Sequence, residues 1–385
     1  MRGSRLVKLF AVLAVVTALG AAVAAVGVAK TGKKQQADQI QVALLFPGTP
    51  TDGSWSNAWA DGAKAAAKKY NAKLTLVPLL ETPDQYVNQG AAFGAKNYDL
   101  VIMANGIALA PIQKLATQFP KTMWCMSPTD FTDRNPRQTS LTAAAAQKNL
   151  PQANTCVAEV EQQDGDFRAG VLAGMLTKTN KIASINGFAF PALTRQAEAF
   201  YLGAKCVNSK IQFEQKYINS WTDPALAKGA AEGFIGNGAD FILGATDSAV
   251  QGAFEAAKNA KQPTYVIPSY FDSYKQSPKV VITSVLFNLQ GVGYDLVKRF
   301  ATNQLPNRFF KSYNFANLGV GQLAPYYGLA KVVTPAARAQ LAKIDRGIKN
   351  GSIVVPDETV GKTTIGKEGA GKSIDVKSLG CKPVK

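Results

Sequence analysis

A tryptophan directly after a predicted strand is the first residue of this chain that suggests a chemical role. Trp55 closes the motif Asp52-Gly53-Ser54-Trp55, which follows an apolar run over residues 40–46. An exposed indole is a good surface for stacking a flat heterocycle, worth roughly 1–3 kcal/mol per base, and a neighbouring Asp or Asn can hydrogen-bond ring nitrogens. The alternative is structural, namely a capped helix start with Trp55 packed into the protein. On residue type alone, this alternative is at least as well supported.

Other residues of the same chemical types follow later predicted strands. In doubly wound sheets, ligands bind beyond the carboxyl ends of the strands, so these loop residues are candidate contacts. Phe190 or Trp221 could form the second side of an aromatic sandwich, although Trp221 could equally belong to a turn before a helix. Asp247 and Asp272 could bind ribose hydroxyls or an exocyclic amine, although isolated loop carboxylates are solvated by default. The candidates found in this way are Asp52, Trp55, Asn105, Asp130, Phe190, Trp221, Asp247 and Asp272.

The elements that must position these residues alternate between strand and helix. This alternation predicts an α/β fold with doubly wound parallel sheets. The stretch 164–224 predicts helix, strand, helix and strand, which contains a strand–helix–strand unit with a right-handed crossover. Its first helix contains Gly170 and Gly174, which allow a neighbouring helix to approach closely. The predicted strands of the first part of the chain lie at residues 40–46, 74–79, 100–104 and 121–126.

The composition excludes several classes of enzyme. There is no histidine among the 385 residues, which rules out Ser-His-Asp and Cys-His nucleophiles and all His metal ligands. The sequence also shows no nucleophile elbow and no cofactor fingerprint, so we expect no enzyme, no metal and no cofactor. The formal net charge is +17, but the basic residues are scattered and no basic–aromatic motif accompanies them. We therefore expect no nucleic-acid binding, and solubility or approach to an anionic membrane instead.

The four cysteines are Cys125, Cys156, Cys206 and Cys381. None forms a CxxC pair, so a structural zinc or a thioredoxin-like site is not expected. Two disulfides in an oxidising compartment are one interpretation. Four buried thiols are the other, because Cys125 and Cys206 lie in apolar segments. The sequence leaves the pairing open.

Residues 1–36 are typical of a targeting segment. Three basic residues precede an uncharged apolar run over residues 9–29, and Ala22-Val23-Ala24 offers a cleavage site. We expect export to the periplasm or the cell surface. The apolar run is also long enough to span a bilayer if it stays uncut, so an N-terminal anchor is the alternative.

The C-terminal tail, residues 357–385, is rich in Lys, Gly and Thr. Residues 366–373 match the phosphate-binding pattern GxxxxGKS. That pattern needs a core strand before it and a helix after it, within an α/β domain. Only a short tail follows here, so we expect a basic surface tail that does not bind ATP.

Several motifs in the middle of the chain resemble the bacterial basic-membrane-protein family. They are AGVLAGMLTKTNKI, PALTRQAEAFYLGAKCVN and NSWTDPALAKGAAEGFIGNGAD, and a weaker similarity extends over residues 40–356. Members of this family are substrate-binding proteins of ABC importers, typified by a purine nucleoside receptor. The resemblance implies a two-lobed, periplasmic-binding-protein-like fold of type I with three crossovers between the lobes. The implied lobes are residues 37–154 with 288–320, and residues 155–287 with 321–356.

The resemblance also implies a function and two further site residues. The lobes would close around a small planar ligand, a purine base or nucleoside, and a monomeric protein would deliver it to an ABC permease. Asp52 and Trp55 match the family's ligand-contacting acidic–aromatic loop, and Asn57 stands one residue beyond the family's usual Asn. Phe287 occupies the position where the nucleoside-binding branch commonly has a sugar-contacting lysine. This difference favours a bare base, although Phe287 could simply be a core residue.

Three alternatives stay open. The ligand could be riboflavin or another flat heterocycle. The chain could be a sensory ectodomain that its uncut apolar segment anchors to the membrane. A nucleoside-cleaving enzyme would need a metal-binding Asp cluster or a general acid, and the sequence shows neither. The family's usual lipoprotein attachment is not expected, because no cysteine lies near the N-terminal segment.

Overall fold

The computed structural model describes residues 39–128 and 142–355. Asp130, Cys381, the predicted targeting segment and the predicted basic tail lie outside the described residues. Within the described ranges, no helix has the length and apolar character needed to cross a membrane.

Strands and helices alternate through most of this part of the chain. The strands are β1 (Gln41–Leu45), β2 (Lys73–Val77), β3 (Leu100–Met103), β4 (Met123–Met126), β5 (Thr155–Val160), β6 (Lys181–Asn186), β7 (Gln212–Tyr217), β8 (Phe241–Ala245), β9 (Tyr265–Tyr270), β10 (Val285–Leu286), β11 (Phe309–Tyr313) and β12 (Gln322–Leu323). The α-helices are α1 (Trp55–Lys69), α2 (Pro83–Ala95), α3 (Leu109–Gln118), α4 (Ala143–Asn149), α5 (Gln162–Leu176), α6 (Pro191–Val207), α7 (Pro224–Gly236), α8 (Gln251–Lys258), α9 (Leu289–Ala301), α10 (Phe315–Leu318) and α11 (Pro335–Lys349).

The strands form two six-stranded sheets, one for each lobe. The first sheet has the order β11-β5-β4-β3-β1-β2 and its pairs are parallel. Its central strands are buried on both faces, as in the run from Val42 to Leu45, which explains why these strands are continuously apolar rather than alternating. The second sheet has the order β12-β10-β9-β8-β6-β7, and only β12 pairs antiparallel within it.

The described chain passes between the two sheets after Val160, after Leu286 and after Tyr313. These are the three expected crossovers, but the first lies later than expected. Thr155–Val160 pairs with β4 on one side and β11 on the other, so it belongs to the first sheet. The expected lobe boundary at residue 154 is therefore wrong by one strand, because the residues assigned to the crossover complete the first sheet.

A disulfide reinforces the attachment of β5 to the first lobe. Cys125 on β4 and Cys156 on β5 face each other in register, are fully buried and are bonded. Cys206 on α6 is also disulfide-bonded. The prediction of disulfides rather than buried thiols is therefore confirmed for these three cysteines.

Helices α5 and α6 pack against each other at unusually close range. A Cβ atom on Gly170 would collide with the backbone carbonyl of Phe200, and one on Gly203 would collide with the carbonyl of Phe167. The close approach that Gly170 was expected to allow is thus present. It fixes the position of α6, whose first turn lies beside the cleft.

Candidate functional site: a cleft between the lobes

The carboxyl ends of the strands in the two sheets meet at a cavity between the lobes. About 440 Å³ of space lies within it, part of which is open to solvent. The cavity is lined by Pro47, Trp55, Ala104, Asn105, Gly106, Pro128, Gln162, Phe190, Ala192, Leu193, Trp221, Asp247 and Tyr270.

Trp55 from the first lobe forms one aromatic wall of this cavity. Its indole N–H donates to the carbonyl oxygen of Ala104 at 2.9 Å, which fixes the ring at the end of β3. Only 7% of Trp55 is exposed. The ring meets Tyr270 of the second lobe edge to face, with centroids 5.6 Å apart. Phe287 packs behind Tyr270 at 5.3 Å and supports this wall.

A second aromatic group lies on the second lobe. Phe188 and Phe190 are stacked with their centroids 5.5 Å apart and their planes within 10°. Trp221 packs against both, 5.1 Å from Phe188, and its ring lies over Gly187, where no side chain larger than hydrogen would fit. Because Phe190 and Trp221 line the same cavity as Trp55, the cleft presents aromatic side chains from both lobes.

Polar groups with fixed orientation complete the lining. The side-chain oxygen of Asn105 accepts from the N–H of Ile107 at 3.2 Å, which orients the amide at the end of β3. The side-chain oxygen of Gln162 accepts from the amide of Gln196 at 2.7 Å, at the start of α5. No Lys or Arg is among the described residues that line the cavity. The cavity is therefore suited to a neutral ligand rather than an anion.

Asp247 is the acidic residue of the lining and is 6% exposed. Burial and the nearby Asp52 carboxylate raise the pKa of Asp247 to about 7. Hydrogen bonds from the Ser54 hydroxyl and the backbone N–H of Trp55 act in the opposite direction. Burial likewise raises the pKa of Asp52, against hydrogen bonds from Asn57 and Ser54. Asp52 belongs to the first lobe and Asp247 to the second, so the closed cleft brings two carboxyl groups together.

The structure gathers five of the predicted site residues around the cavity: Trp55, Asn105, Phe190, Trp221 and Asp247. Asp52 lies immediately behind them, where it accepts from the N–H groups of Ser54 and Asn57 and so caps α1. Asp52 therefore stabilises the start of α1, as the structural alternative predicted. It also lies near the cleft.

Three predicted residues lie elsewhere. The Asn57 amide bonds Pro50 and Asp61 on the outer side of α1. Asp272 accepts from the hydroxyl of Tyr327 on the surface of the second lobe. Phe287 is fully buried and contacts Tyr270 rather than the cavity. These positions do not support direct ligand contact, and Asp130 lies outside the described residues.

Tyr270 and Gln162 are the principal lining residues that sequence reasoning missed. Strand β9 runs from Tyr265 through Pro268, which lies in register opposite Gly244, and ends at Tyr270. Gln162 follows the carboxyl end of β5 by two residues. This position was the sequence signal by which it could have been predicted to line the cleft. Tyr270 also has a left-handed backbone, with φ of 81°, which is rare for a bulky side chain.

Among residues 39–128 and 142–355, no cluster of three or more Cys, Asp or Glu side chains could hold a metal ion. The arrangement contains aromatic faces, two oriented amides and an acidic pair. Such a set of groups can enclose and orient a flat, neutral molecule between two lobes.

Two lobes of doubly wound sheet around such a cleft define the class of proteins with the periplasmic-binding-protein fold. A solved ABC transporter system solute-binding protein from Aeropyrum pernix K1 superposes with a TM-score of 0.68 at 17% identity, covering 82% of this chain and 94% of that chain. The expected fold class is confirmed.

The chain belongs to the Bmp family of ABC transporter substrate-binding proteins, PnrA-like, whose model matches residues 39–359. It is 27% identical over 243 residues to the ABC transporter nucleoside-binding protein BmpA of Lactococcus lactis subsp. cremoris, covering 56% of this chain and 68% of that protein. It is 24% identical over 329 residues to Basic membrane protein A of Borreliella burgdorferi, covering 85% and 91%. The family consists of extracytoplasmic binding proteins rather than enzymes, so a small-molecule ligand and a permease partner follow from membership.

Proposed function

We propose that this substrate-binding protein captures a purine base, without an attached sugar, and delivers it to its ABC permease. The observation that carries this proposal is the pair of aromatic walls, with Trp55 on one lobe and Phe190 and Trp221 on the other. Stacking of a base on such a face contributes about 1–3 kcal/mol. The contribution is available only when the lobes are closed, so it couples binding to closure.

The charge of the lining supports a neutral ligand. Asn105, Gln162 and Asp247 are its polar side chains with acceptor oxygens, and the described lining contains no basic residue. A nucleotide would bring phosphate charges next to Asp247 without a cation to balance them. A free base brings N–H donors and ring-nitrogen acceptors that match these groups.

The surroundings of Tyr270 support a base without ribose. Phe287 stands where a sugar-contacting lysine is common in the nucleoside-binding branch, and it is buried behind Tyr270. This part of the site is therefore aromatic and lacks the cation that would bind sugar hydroxyls. A nucleoside is the second candidate, because the Lactococcus lactis relative is named as nucleoside-binding.

The remaining parts of the proposal concern the protein's place in the cell. We propose that residues 1–36 direct export and either are removed or stay as an N-terminal anchor. We also propose that the binding protein acts as a monomer, since the cleft is complete within one chain.

Isothermal titration of the purified protein tests the ligand. The protein is first unfolded and refolded to release any ligand that co-purifies. The panel is adenine, guanine, hypoxanthine, adenosine, guanosine, inosine and riboflavin. Tight binding of a base and weak binding of its nucleoside supports the proposal. Preference for a nucleoside refutes the sugar-free assignment, and binding of riboflavin alone refutes the purine assignment.

A further inference from the structure

Two carboxyl groups, one from each lobe, lie near each other at the cleft. Stacking of a base between the aromatic walls does not require this proximity. Asp52 follows β1 on the first lobe, and Asp247 follows β8 on the second. Each has one buried side-chain oxygen without a hydrogen-bond partner among the described residues, namely Oδ2 of Asp52 and Oδ1 of Asp247. An unpaired oxygen that is removed from water is unfavourable for an ionised carboxylate. The closed cleft therefore contains two such oxygens and, within its described lining, no cation.

The groups that act on the charge of Asp247 come from two elements. The loop before α1 contributes Asp52, Ser54 and the N–H of Trp55, and the end of β9 contributes Tyr270. None of these groups is basic. Tyr270 is buried, and both its burial and the nearby Asp247 raise its pKa, so its phenol stays protonated. A negative charge on Asp247 thus faces a second carboxylate and a neutral phenol.

We propose that Asp52 holds a proton on Asp247 in the closed cleft, so that Asp247 donates a hydrogen bond to a ring nitrogen of the bound base. This inference rests on the proposed function and adds the chemical class of the ligand. A neutral carboxyl group offers an O–H donor, whereas a carboxylate only accepts. The preferred ligand is therefore an aza-aromatic base with an unprotonated ring nitrogen at this edge, as in adenine.

A dependence of affinity on pH follows from this arrangement. Asp247 has a pKa of about 7 in the closed cleft, whereas a solvated Asp ionises near pH 4. When the lobes separate, Asp247 is solvated by water and lies farther from the Asp52 charge. Both changes favour its ionised form. Closure therefore takes up a proton between about pH 4 and about pH 7, and the affinity falls as the pH rises through this range. The fall for adenine should approach about tenfold per pH unit within the range and should level off above the pKa of Asp247 in the complex.

Titration calorimetry of adenine between about pH 6 and about pH 8.5 tests this inference. Parallel titrations in buffers of different ionisation enthalpy give the number of protons taken up. For the unaltered protein we expect uptake approaching one proton at the lower end of the range, with a decrease as the pH passes the pKa of Asp247 in the complex. Asp247→Asn replaces the O–H donor by an amide N–H, so it should bind adenine with an affinity that does not change with pH. Asp52→Asn keeps an acceptor for the cap of α1 and removes the charge that repels an ionised Asp247.

 The bound base itself favours the O–H form of Asp247 through the proposed hydrogen bond, so the pKa of Asp247 in the complex lies above its value in the empty closed cleft. Proton uptake on binding therefore spans the range from the pKa of the open form to that of the complex, and the affinity falls with rising pH throughout this range.

The direction expected for Asp52→Asn follows from the loss of repulsion. Without the Asp52 charge, the pKa of Asp247 in the closed cleft is lower, so the affinity for adenine declines at lower pH than in the unaltered protein. Asp84→Asn, at an exposed position in the first turn of α2, is the matched control for the loss of one negative charge and should leave the pH profile unchanged.

Deaza analogues of adenine, each lacking one ring nitrogen, identify the acceptor. One analogue should bind at least about tenfold more weakly than adenine, the equivalent of about 1.4 kcal/mol, and its affinity should depend less strongly on pH than that of adenine. An affinity for adenine that is constant or rises with pH overturns the inference, as does equal binding of all the analogues. Failure of every purine to bind refutes the proposed function and this inference with it, whereas purine binding without proton uptake refutes only the inference.

Discussion

Glu159 on β5 and Arg195 on α6 form an ion pair with an N–O distance of 2.6 Å, and both side chains are fully buried. Arg195 also donates to the carbonyl oxygen of Val160 at 3.2 Å. The pair joins the last strand before the first crossover to a helix of the second lobe. It therefore holds the two lobes together at the base of the cleft.

Loss of one partner of this pair should destabilise the protein strongly. Glu159→Gln removes the carboxylate that forms the ion pair with the buried Arg195 guanidinium, and loss of one partner of a buried pair costs about 3–5 kcal/mol. Urea unfolding followed by circular dichroism measures the loss. The matched control is Glu255→Gln, which removes the exposed partner of Lys228 and should change the unfolding free energy by less than about 1 kcal/mol. Equal effects of the two changes would contradict the importance of burial.

The aromatic wall on the first lobe should contribute directly to ligand affinity. Trp55→Ala removes the stacking face and should weaken binding of the preferred base by about 1–3 kcal/mol, or roughly fivefold to 150-fold. Phe271→Ala is the control, because Phe271 is aromatic and 39% exposed but does not line the cavity. Calorimetric titration of both variants makes the comparison. Unchanged affinity in Trp55→Ala, with the fold retained, would rule out the stacking role.

The contact between α5 and α6 should not tolerate a single added methyl group. Gly170→Ala forces the Phe200 carbonyl away, and overpacking of this kind costs about 1–3 kcal/mol. Gly233→Ala on α7 provides the contrast, because no atom lies within 4 Å of the added Cβ. That variant should gain up to about 1 kcal/mol from the higher helix propensity of alanine. Thermal unfolding of the two variants should therefore shift in opposite directions.

The disulfide between β4 and β5 should contribute to stability through the unfolded chain. Cys125 and Cys156 are 31 residues apart, and closing a loop of this length stabilises a protein by about 3–4 kcal/mol on the chain-entropy account. The double variant Cys125→Ala/Cys156→Ala should lower the free energy of urea unfolding by that amount. The variant keeps the disulfide of Cys206, so it measures the contribution of the β4–β5 bond alone, whereas chemical reduction would break both bonds. A change below about 1 kcal/mol would show that the bond is not a major source of stability.

Sequence reasoning predicted several of the residues that line the cavity, because strand ends are visible in sequence. Trp55, Asn105 and Asp247 each follow a buried apolar run, and the structure places all three at the cavity. Tyr270 escaped notice because its strand continues beyond Pro268, a residue that usually avoids strand interiors. Asn57 and Phe287 were misplaced because a family position gives the location of a backbone, not the direction of its side chain.

Two features depended on tertiary structure. A strand of one sheet and the crossover that follows it look alike in sequence. The sequence therefore predicts the second lobe for Thr155–Val160, whereas its pairing partners, β4 and β11, belong to the first lobe. The proximity of Asp52 and Asp247 depends on how the two lobes meet. Local patterns contain no information about that contact.

The membership of β11 in the first sheet has a consequence for biosynthesis. β5 pairs with β4 on one side and with β11 on the other, but β11 is translated only after all the strands from β6 to β10. A chain that crosses the membrane from its amino terminus therefore presents β5 as an open edge while the second lobe is still emerging. Both cysteines of the β4–β5 bond are already outside by then, so oxidation can secure this edge before its final neighbour arrives.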